Sequence, residues 1–132
     1  RPMSHPVIIQ GGMGIGLSNW NLANAVARLG QMGVVSGTAL HQVFVRRLQQ
    51  GDLGGHLRRA LAHFPVPAMA RRVLDRYFLP DGLPAGKSYR PVRMFTADPD
   101  PELVETAVVA NFAEVALAKE GHTGPVGLNL LE

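Results

Sequence analysis

The stretch that decides the fold is residues 6–38, PVIIQGGMGIGLSNWNLANAVARLGQMGVVSGT. It consists of a short β-branched run, a glycine-rich loop, an amphipathic segment and a second apolar run. An apolar run followed by glycines that open a helix is how α/β proteins bring main-chain N–H groups beside a cofactor. This order predicts a strand over residues 7–10, a helix that Ser18 or Asn19 caps, and a strand over residues 33–36.

The same stretch predicts how its elements pack. The β-branched run at residues 7–10 suits a strand that is covered on both faces. In the helix, Leu22, Val26 and Leu29 would share one apolar face, and the alanines between them permit close packing. Gly30 would end the helix, because glycine readily adopts the left-handed conformation after a last helical turn.

The rest of the chain is predicted to be largely helical before a third strand. Asp100 and Pro101 mark a helix start, because an acidic cap followed by proline suits the first turn. The predicted helices cover residues 38–50 (capped by Thr38), 56–64, 69–78 and 101–120, a loop covers 79–96, and a strand covers 125–131. Strands that alternate with helices favour an α/β fold with a parallel sheet. The helical stretch over about residues 40–95 is longer than one crossover needs, so we interpret it as an insertion between the second and third strands.

Composition limits the class of protein. The chain has 132 residues, no cysteine and a formal net charge of +3. The lack of cysteine excludes disulfide and thiolate chemistry in this chain, and it fits a cytoplasmic protein. No apolar run reaches the roughly 18–20 residues of a transmembrane helix, so we expect no membrane span. The basic stretch over residues 46–93 lacks a nucleic-acid-binding signature, and we interpret its arginines as solvated helix faces.

Two common kinds of site fit the sequence poorly. The glycines of residues 11–16 match the dinucleotide-binding pattern imperfectly, and no acidic residue follows about twenty positions later to bind a ribose hydroxyl. No two of the five histidines have the spacing and carboxylate partner of a zinc site, so we predict no metal. His41, His56 and His63 fall on predicted helices, and His122 precedes the third strand. A residue before a strand lies at the amino end, away from the edge at which parallel α/β sheets bind their ligands.

Residues 6–39 resemble the first βαβ unit of the nitronate monooxygenase family, formerly called 2-nitropropane dioxygenases. That family shares its FMN-binding barrel with the flavin-dependent enoyl-carrier-protein reductases. The resemblance also covers residues 107–132, and it implies that residues 1–132 are the N-terminal part of one FMN-binding (β/α)8 TIM barrel domain. Because a complete barrel needs roughly 250 residues, we expect an incomplete barrel, formed by a piece of a longer protein.

The resemblance implies a flavin site at the carboxyl ends of the strands. Six residues would lie beside FMN: Gln10, Gly11, Gly12, Met13, Ser36 and Asn129. From the residues alone, Asn129 could equally bond its own turn. The family's catalytic histidine and the loops that hold the FMN phosphate come from later strands, so no catalytic residue is expected in this chain, which alone would be inactive.

The parent protein is therefore expected to be an FMN-dependent oxidoreductase that oxidises small alkyl nitronates with molecular oxygen. The sequence Gln-Gly-Gly-Met at residues 10–13 is more similar to the enoyl-reductase branch of the barrel family. That branch implies a flavin enoyl reductase of fatty-acid or polyketide synthesis, with an acyl carrier protein docked on the basic surface. A third alternative is an inactive truncated product or an interaction module. The sequence leaves the oligomeric state open.

Overall fold

The structure, a computed structural model, describes residues 5–130 of the chain. Those residues form a mixed α/β protein with five α-helices and two parallel strands. The elements are α1 (Trp20–Arg28), β1 (Gly33–Ser36), α2 (Leu40–Gln49), a 3-10 turn (Leu53–Gly55), α3 (His56–Leu61), α4 (Pro67–Tyr77), α5 (Pro101–Ala118) and β2 (Val126–Asn129). The predicted end of the third strand, at residue 131, lies outside the described residues.

The described residues fall into two compact units. The sheet unit comprises residues 5–38 and 114–130, and it contains α1, β1, β2 and the last turn of α5. The helical unit comprises residues 39–113, and it contains α2, α3, α4 and the first part of α5. The helical stretch expected between two strands is therefore present.

The sheet unit is built on parallel pairing, as the sequence predicts. β1 and β2 pair from Gly33 opposite Val126 to Ser36 opposite Asn129. The chain before α1 joins the other edge of β1 through an isolated parallel bridge between Ile9 and Met32. Two main-chain hydrogen bonds of 2.9 and 3.0 Å flank that bridge. The order across the sheet is thus residues 8–10, β1 and β2, which is also their order along the chain.

The prediction of a buried strand over residues 7–10 is wrong in two respects. A single bridge pairs this segment, and the side chains of Val7, Ile8 and Ile9 are 91%, 61% and 61% exposed. A strand that is covered on both faces needs a layer on each side, and these exposures show that residues 7–9 have little cover. Instead, the Gln31 side chain holds the segment by accepting the main-chain N–H groups of Val7 and Ile8 at 3.1 and 2.8 Å.

The fully buried residues of α1 are alanines, whose close packing was predicted, whereas the predicted leucine and valine face is at most half-buried. Ala23 and Ala27 are buried, whereas Leu29 is 78% exposed. A Cβ added to Gly33 would lie 2.7 Å from the Ala23 Cα, and one added to Gly124 would lie 2.6 Å from the Ala27 carbonyl carbon. The helix therefore lies so close to the strands that two glycines face two alanines, and leucine has no room there.

Three of the predicted helix ends are confirmed. The Asn19 side chain accepts the Leu22 N–H at 3.1 Å, Asp100 accepts the Leu103 N–H at 2.8 Å, and Gly30 follows α1 with a φ of 76°. The prediction for α2 is wrong, because its N-cap residue is Ala39, in a left-handed conformation with a φ of 54°, and not Thr38.

In the helical unit, the predicted loop contains no helix or strand over residues 79–96. Side chains of α2 hold its main chain. Gln49 accepts the Arg90 N–H at 2.6 Å and donates to the Arg90 carbonyl at 3.0 Å, while Gln42 donates to the Val92 carbonyl at 2.6 Å. His41 lies 3.0 Å from the Arg93 carbonyl, so a face of α2 satisfies the polar groups of an extended segment.

Candidate site at the carboxyl edge of the sheet

The carboxyl ends of β1 and β2 bring two of the predicted residues together. Ser36 and Asn129 are the last residues of their strands, and they are partners in the parallel register. The Asn129 carbonyl then accepts the N–H of Gly37 at 2.9 Å, which extends the pairing by one bond. Ser36 is buried. This edge is where α/β proteins with parallel sheets bind their ligands.

The glycine-rich loop contacts the same edge through Gly12. A Cβ added to Gly12 would lie 2.6 Å from both Cγ and Nδ2 of Asn129, which is far inside ordinary contact. A larger residue at position 12 would therefore have to displace this amide, which glycine leaves in place. The Asn129 Oδ1 atom is buried and has no hydrogen-bond partner among the described residues. A buried acceptor without a donor costs about 1–3 kcal/mol.

Gln10 has a structural role that the sequence did not reveal. Its Oε1 accepts the Val34 N–H at 3.1 Å, and its Nε2 donates to the Val34 carbonyl at 3.2 Å. The side-chain amide thus pairs with β1 as a main-chain residue would. The same Nε2 lies 2.7 Å from the Gly11 carbonyl and so holds the start of the loop. Any contact between Gln10 and a ligand would compete with these bonds.

Ser18 fixes the other end of the loop. It was one of two candidates for the cap of α1, but Asn19 performs that role. Ser18 is buried, its Oγ accepts the Met13 N–H at 2.7 Å, and its carbonyl accepts the Ser36 N–H at 3.0 Å. The Met13 side chain is 51% exposed. Ser18 therefore links the loop to β1 through two hydrogen bonds, and Met13 takes part through its main-chain N–H and not through its side chain.

A buried carboxylate stabilises the start of α1. Glu114 of α5 is buried, and its Oε1 accepts the main-chain N–H of Trp20 at 2.9 Å. An anion suits this position, because the first N–H groups of a helix are unpaired and carry a partial positive charge. The one sequence signal for this contact is a glutamate within the apolar run of α5.

The described side chains whose pKa values are shifted lie in the helical unit and not at this edge. The Arg72 guanidinium binds the Glu105 carboxylate at 2.7 and 3.1 Å, and this hydrogen bonding lowers the pKa of Glu105 and raises that of Arg72. Burial raises the pKa of Tyr77. Arg58 donates to the buried Asp52 carboxylate at 3.1 Å. Part of the basic stretch therefore serves internal ion pairs.

No family model, no curated protein and no solved structure matches this chain. Within residues 5–130, no three or more side chains of His, Cys, Asp or Glu are grouped to hold a metal ion. The helices of that part of the chain are all too short or too polar to cross a membrane.

Proposed function

We propose that this chain supplies the opening βα units of an FMN-binding (β/α)8 barrel in a cytoplasmic oxidoreductase of the nitronate monooxygenase type. Three features support the proposal: the strands are parallel, they follow one another across the sheet in chain order, and Gly12, Ser36 and Asn129 meet at their carboxyl ends. A barrel places neighbouring strands in chain order and builds its site at that edge. The unpartnered Asn129 Oδ1 is the single observation that carries the ligand site.

The residues at this edge fit a flavin ring in their chemistry. A side-chain amide offers one acceptor and two donors, and the ring system of FMN carries both acceptors and an N–H donor. The buried Oδ1 of Asn129 is the kind of acceptor that such a donor would satisfy. Because Oδ1 is shielded in the present loop conformation, a ligand would reach it when residues 11–14 move outward. Cβ atoms added to Gly11 and Gly14 would meet nothing within 4 Å, so these residues leave room for that movement.

When bound, FMN would accept electrons from an alkyl nitronate and pass them to molecular oxygen. The part of this chain is to position the ring. Asn129 would bind its polar edge, Gly12 would allow the close approach, and Ser36 would lie beside them. Gln10 and Ser18 would hold the loop in register through their bonds to β1. No group at this edge of the described chain is assigned as the base, which the proposal places on a later strand.

The proposal is tested with the product of the complete reading frame that contains these residues. We expect oxygen uptake that depends on an alkyl nitronate. Asn129→Ala should lower kcat/KM about tenfold or more, because it removes a hydrogen bond of roughly 1.5 kcal/mol to the ligand. Asn111→Ala is the matched control, since Asn111 also has a buried, unpartnered Oδ1 but lies in the helical unit. Equal effects of the two substitutions would contradict the proposed role of Asn129.

The second candidate, a flavin enoyl reductase, is favoured by one observation, the sequence Gln-Gly-Gly-Met at residues 10–13. Nicotinamide-dependent reduction of an enoyl thioester, without nitronate-dependent oxygen uptake, would establish it. Docking of an acyl carrier protein is tested at Arg71, whose side chain has no ion pair or hydrogen bond among the described residues. Charge reversal at Arg58 or Arg72 would also break an internal ion pair and is unsuitable. If neither reaction occurs, the interaction-module alternative replaces both.

A further inference from the structure

The sheet unit has a cavity at the amino edge of the sheet, opposite the candidate flavin site. Its volume is about 760 Å³, within the range of small-molecule sites. It is lined by residues that precede the strands, among them Pro6, Gly30 and Gly124. Each strand of four residues spans about 13 Å. A ligand in this cavity therefore lies at the amino edge, a full strand length from Gly12 and Asn129.

The charged side chains that line this cavity, Arg28 and Lys119, are cations. Among the described residues that line it there is no Asp or Glu. Neither cation has a carboxylate within ion-pair distance in the part of the chain that the structure describes. Two positive charges thus share one partly enclosed space, with no opposite charge among the described residues of its wall. Such a space raises the local concentration of anions.

Arg28 is held in a fixed orientation. Its Nε donates to Asn24 Oδ1 at 2.7 Å, and its two terminal nitrogens donate to the carbonyls of Gly121 and Glu120 at 3.3 and 3.1 Å. A guanidinium has five N–H donors, so two are left for a ligand. Because the side chain is already ordered, a ligand need not offset the entropy cost of ordering it.

His122 forms a rigid wall of the cavity. Its Nδ1 accepts the N–H of Gly124 at 3.0 Å, so the ring proton is on Nε2, which donates to the Ala118 carbonyl at 2.6 Å. Both ring nitrogens are therefore engaged with the main chain. This arrangement holds the turn between α5 and β2, next to Lys119, in one conformation.

We propose that this cavity binds a soluble, phosphate-bearing small molecule, with Arg28 and Lys119 as its ligands. A planar guanidinium and a compact ammonium are the two groups with which proteins bind phosphate. Arg28 also donates to two carbonyls just beyond the end of α5, a place where a cation is favourable. The Lys119 ammonium has no hydrogen bond or ion pair among the described residues. Main-chain contacts near the helix end therefore account for the guanidinium, and the ammonium is left to the ligand.

The chain contains two lysines, Lys87 and Lys119, which makes a direct test possible. The protein is treated with a limiting amount of an amine-acylating reagent, with and without inorganic pyrophosphate, and each lysine is quantified by mass spectrometry. We expect saturating pyrophosphate to slow modification of Lys119 about tenfold and to leave Lys87 unchanged. Equal protection of both lysines, or protection of neither, would overturn the proposal.

Variants separate this site from the flavin site. Arg28→Gln should raise the pyrophosphate concentration for half-protection of Lys119 about tenfold, and Arg28→Lys, which keeps the charge, should raise it less. In a calorimetric titration, Lys119→Gln should abolish the binding that Lys87→Gln leaves intact. Asn129→Ala should change flavin content without changing pyrophosphate binding. Unaltered pyrophosphate affinity in folded Arg28→Gln or Lys119→Gln protein would refute the assignment.

Discussion

The close contact between α1 and the strands gives a prediction about Gly33. Gly33→Ala places a Cβ 2.7 Å from both the carbonyl carbon and the Cα of Ala23, about 0.7 Å short of the 3.4 Å at which ordinary contact begins. The opposing atoms are main chain, so no side-chain rotation can relieve the clash. Either α1 moves away from the sheet or β1 shifts against β2.

The expected cost follows from that geometry. Overpacking of a well-packed core costs about 1–3 kcal/mol, and the upper value applies because the main chain must move. We therefore expect Gly33→Ala to lower the free energy of unfolding by about 3 kcal/mol, or Tm by roughly 10 °C. Gly11→Ala is the control, since its Cβ meets nothing within 4 Å. That change should be neutral or slightly stabilising, because alanine restricts the unfolded chain.

A double mutant sharpens the test. Gly124→Ala meets Ala27, one turn along the same helix, so a single outward movement of α1 relieves both clashes. The double substitution should cost less than the sum of the two single costs, by about 1 kcal/mol or more. The assay is urea unfolding followed by circular dichroism. A loss below about 0.5 kcal/mol for Gly33→Ala, or full additivity, would refute the packing described here.

Three further predictions concern the helical unit. Asp52→Ala should lower the free energy of unfolding in urea by about 3 kcal/mol. The buried carboxylate accepts two main-chain N–H groups of α3, and the residue has a φ of 47°, which alanine adopts at a cost. Asp52→Asn should lower the free energy of unfolding by less. Hydrogen bonding to Arg72 lowers the pKa of Glu105 below its ordinary value of 4.5. The pair therefore stabilises the fold at pH values above 4.5, and this contribution is lost as the pH falls below that value. Glu105→Gln should remove that part of the pH dependence of unfolding. The pKa of Tyr77 is raised by burial, so in a Tyr89→Phe variant the phenolate absorbance should appear above pH 10.0, and its appearance below that value would contradict the burial.

Local chemistry made part of the fold predictable. β1 occupies the predicted residues 33–36, and Asn19 and Asp100 cap the helices that they were expected to cap. Gly30 ends α1, since only a residue without a Cβ adopts its φ at little cost. Each of these features is decided by residues within a few positions along the chain.

The features that the sequence did not predict depend on contacts between distant residues. The face that α1 buries was predicted from Leu22 and Val26, but the close approach to the strands selects Ala23 and Ala27. The Gln10 side chain pairs with β1, 24 residues away. No local pattern reveals that an amide side chain will take the place of a main-chain bond.

The candidate site shows the same division. Ser36 and Asn129 lie at the carboxyl ends of β1 and β2, where the predicted strands place them, and Gly12 of the glycine-rich loop lies against Asn129. The roles of Ser18 and Glu114 were missed, because each acts on the main chain of a segment that the fold brings beside it. A serine before a helix carries no sequence signal for such a contact. A glutamate in an apolar run indicates only that its carboxylate needs a partner, and not which one.

The visible absorption spectrum of the purified product of the complete reading frame tests the central claim most directly. We predict a flavin spectrum, release of FMN on denaturation, and reduced flavin content in Asn129→Ala but not in Asn111→Ala. A colourless protein that binds no added FMN while it is folded would contradict the account.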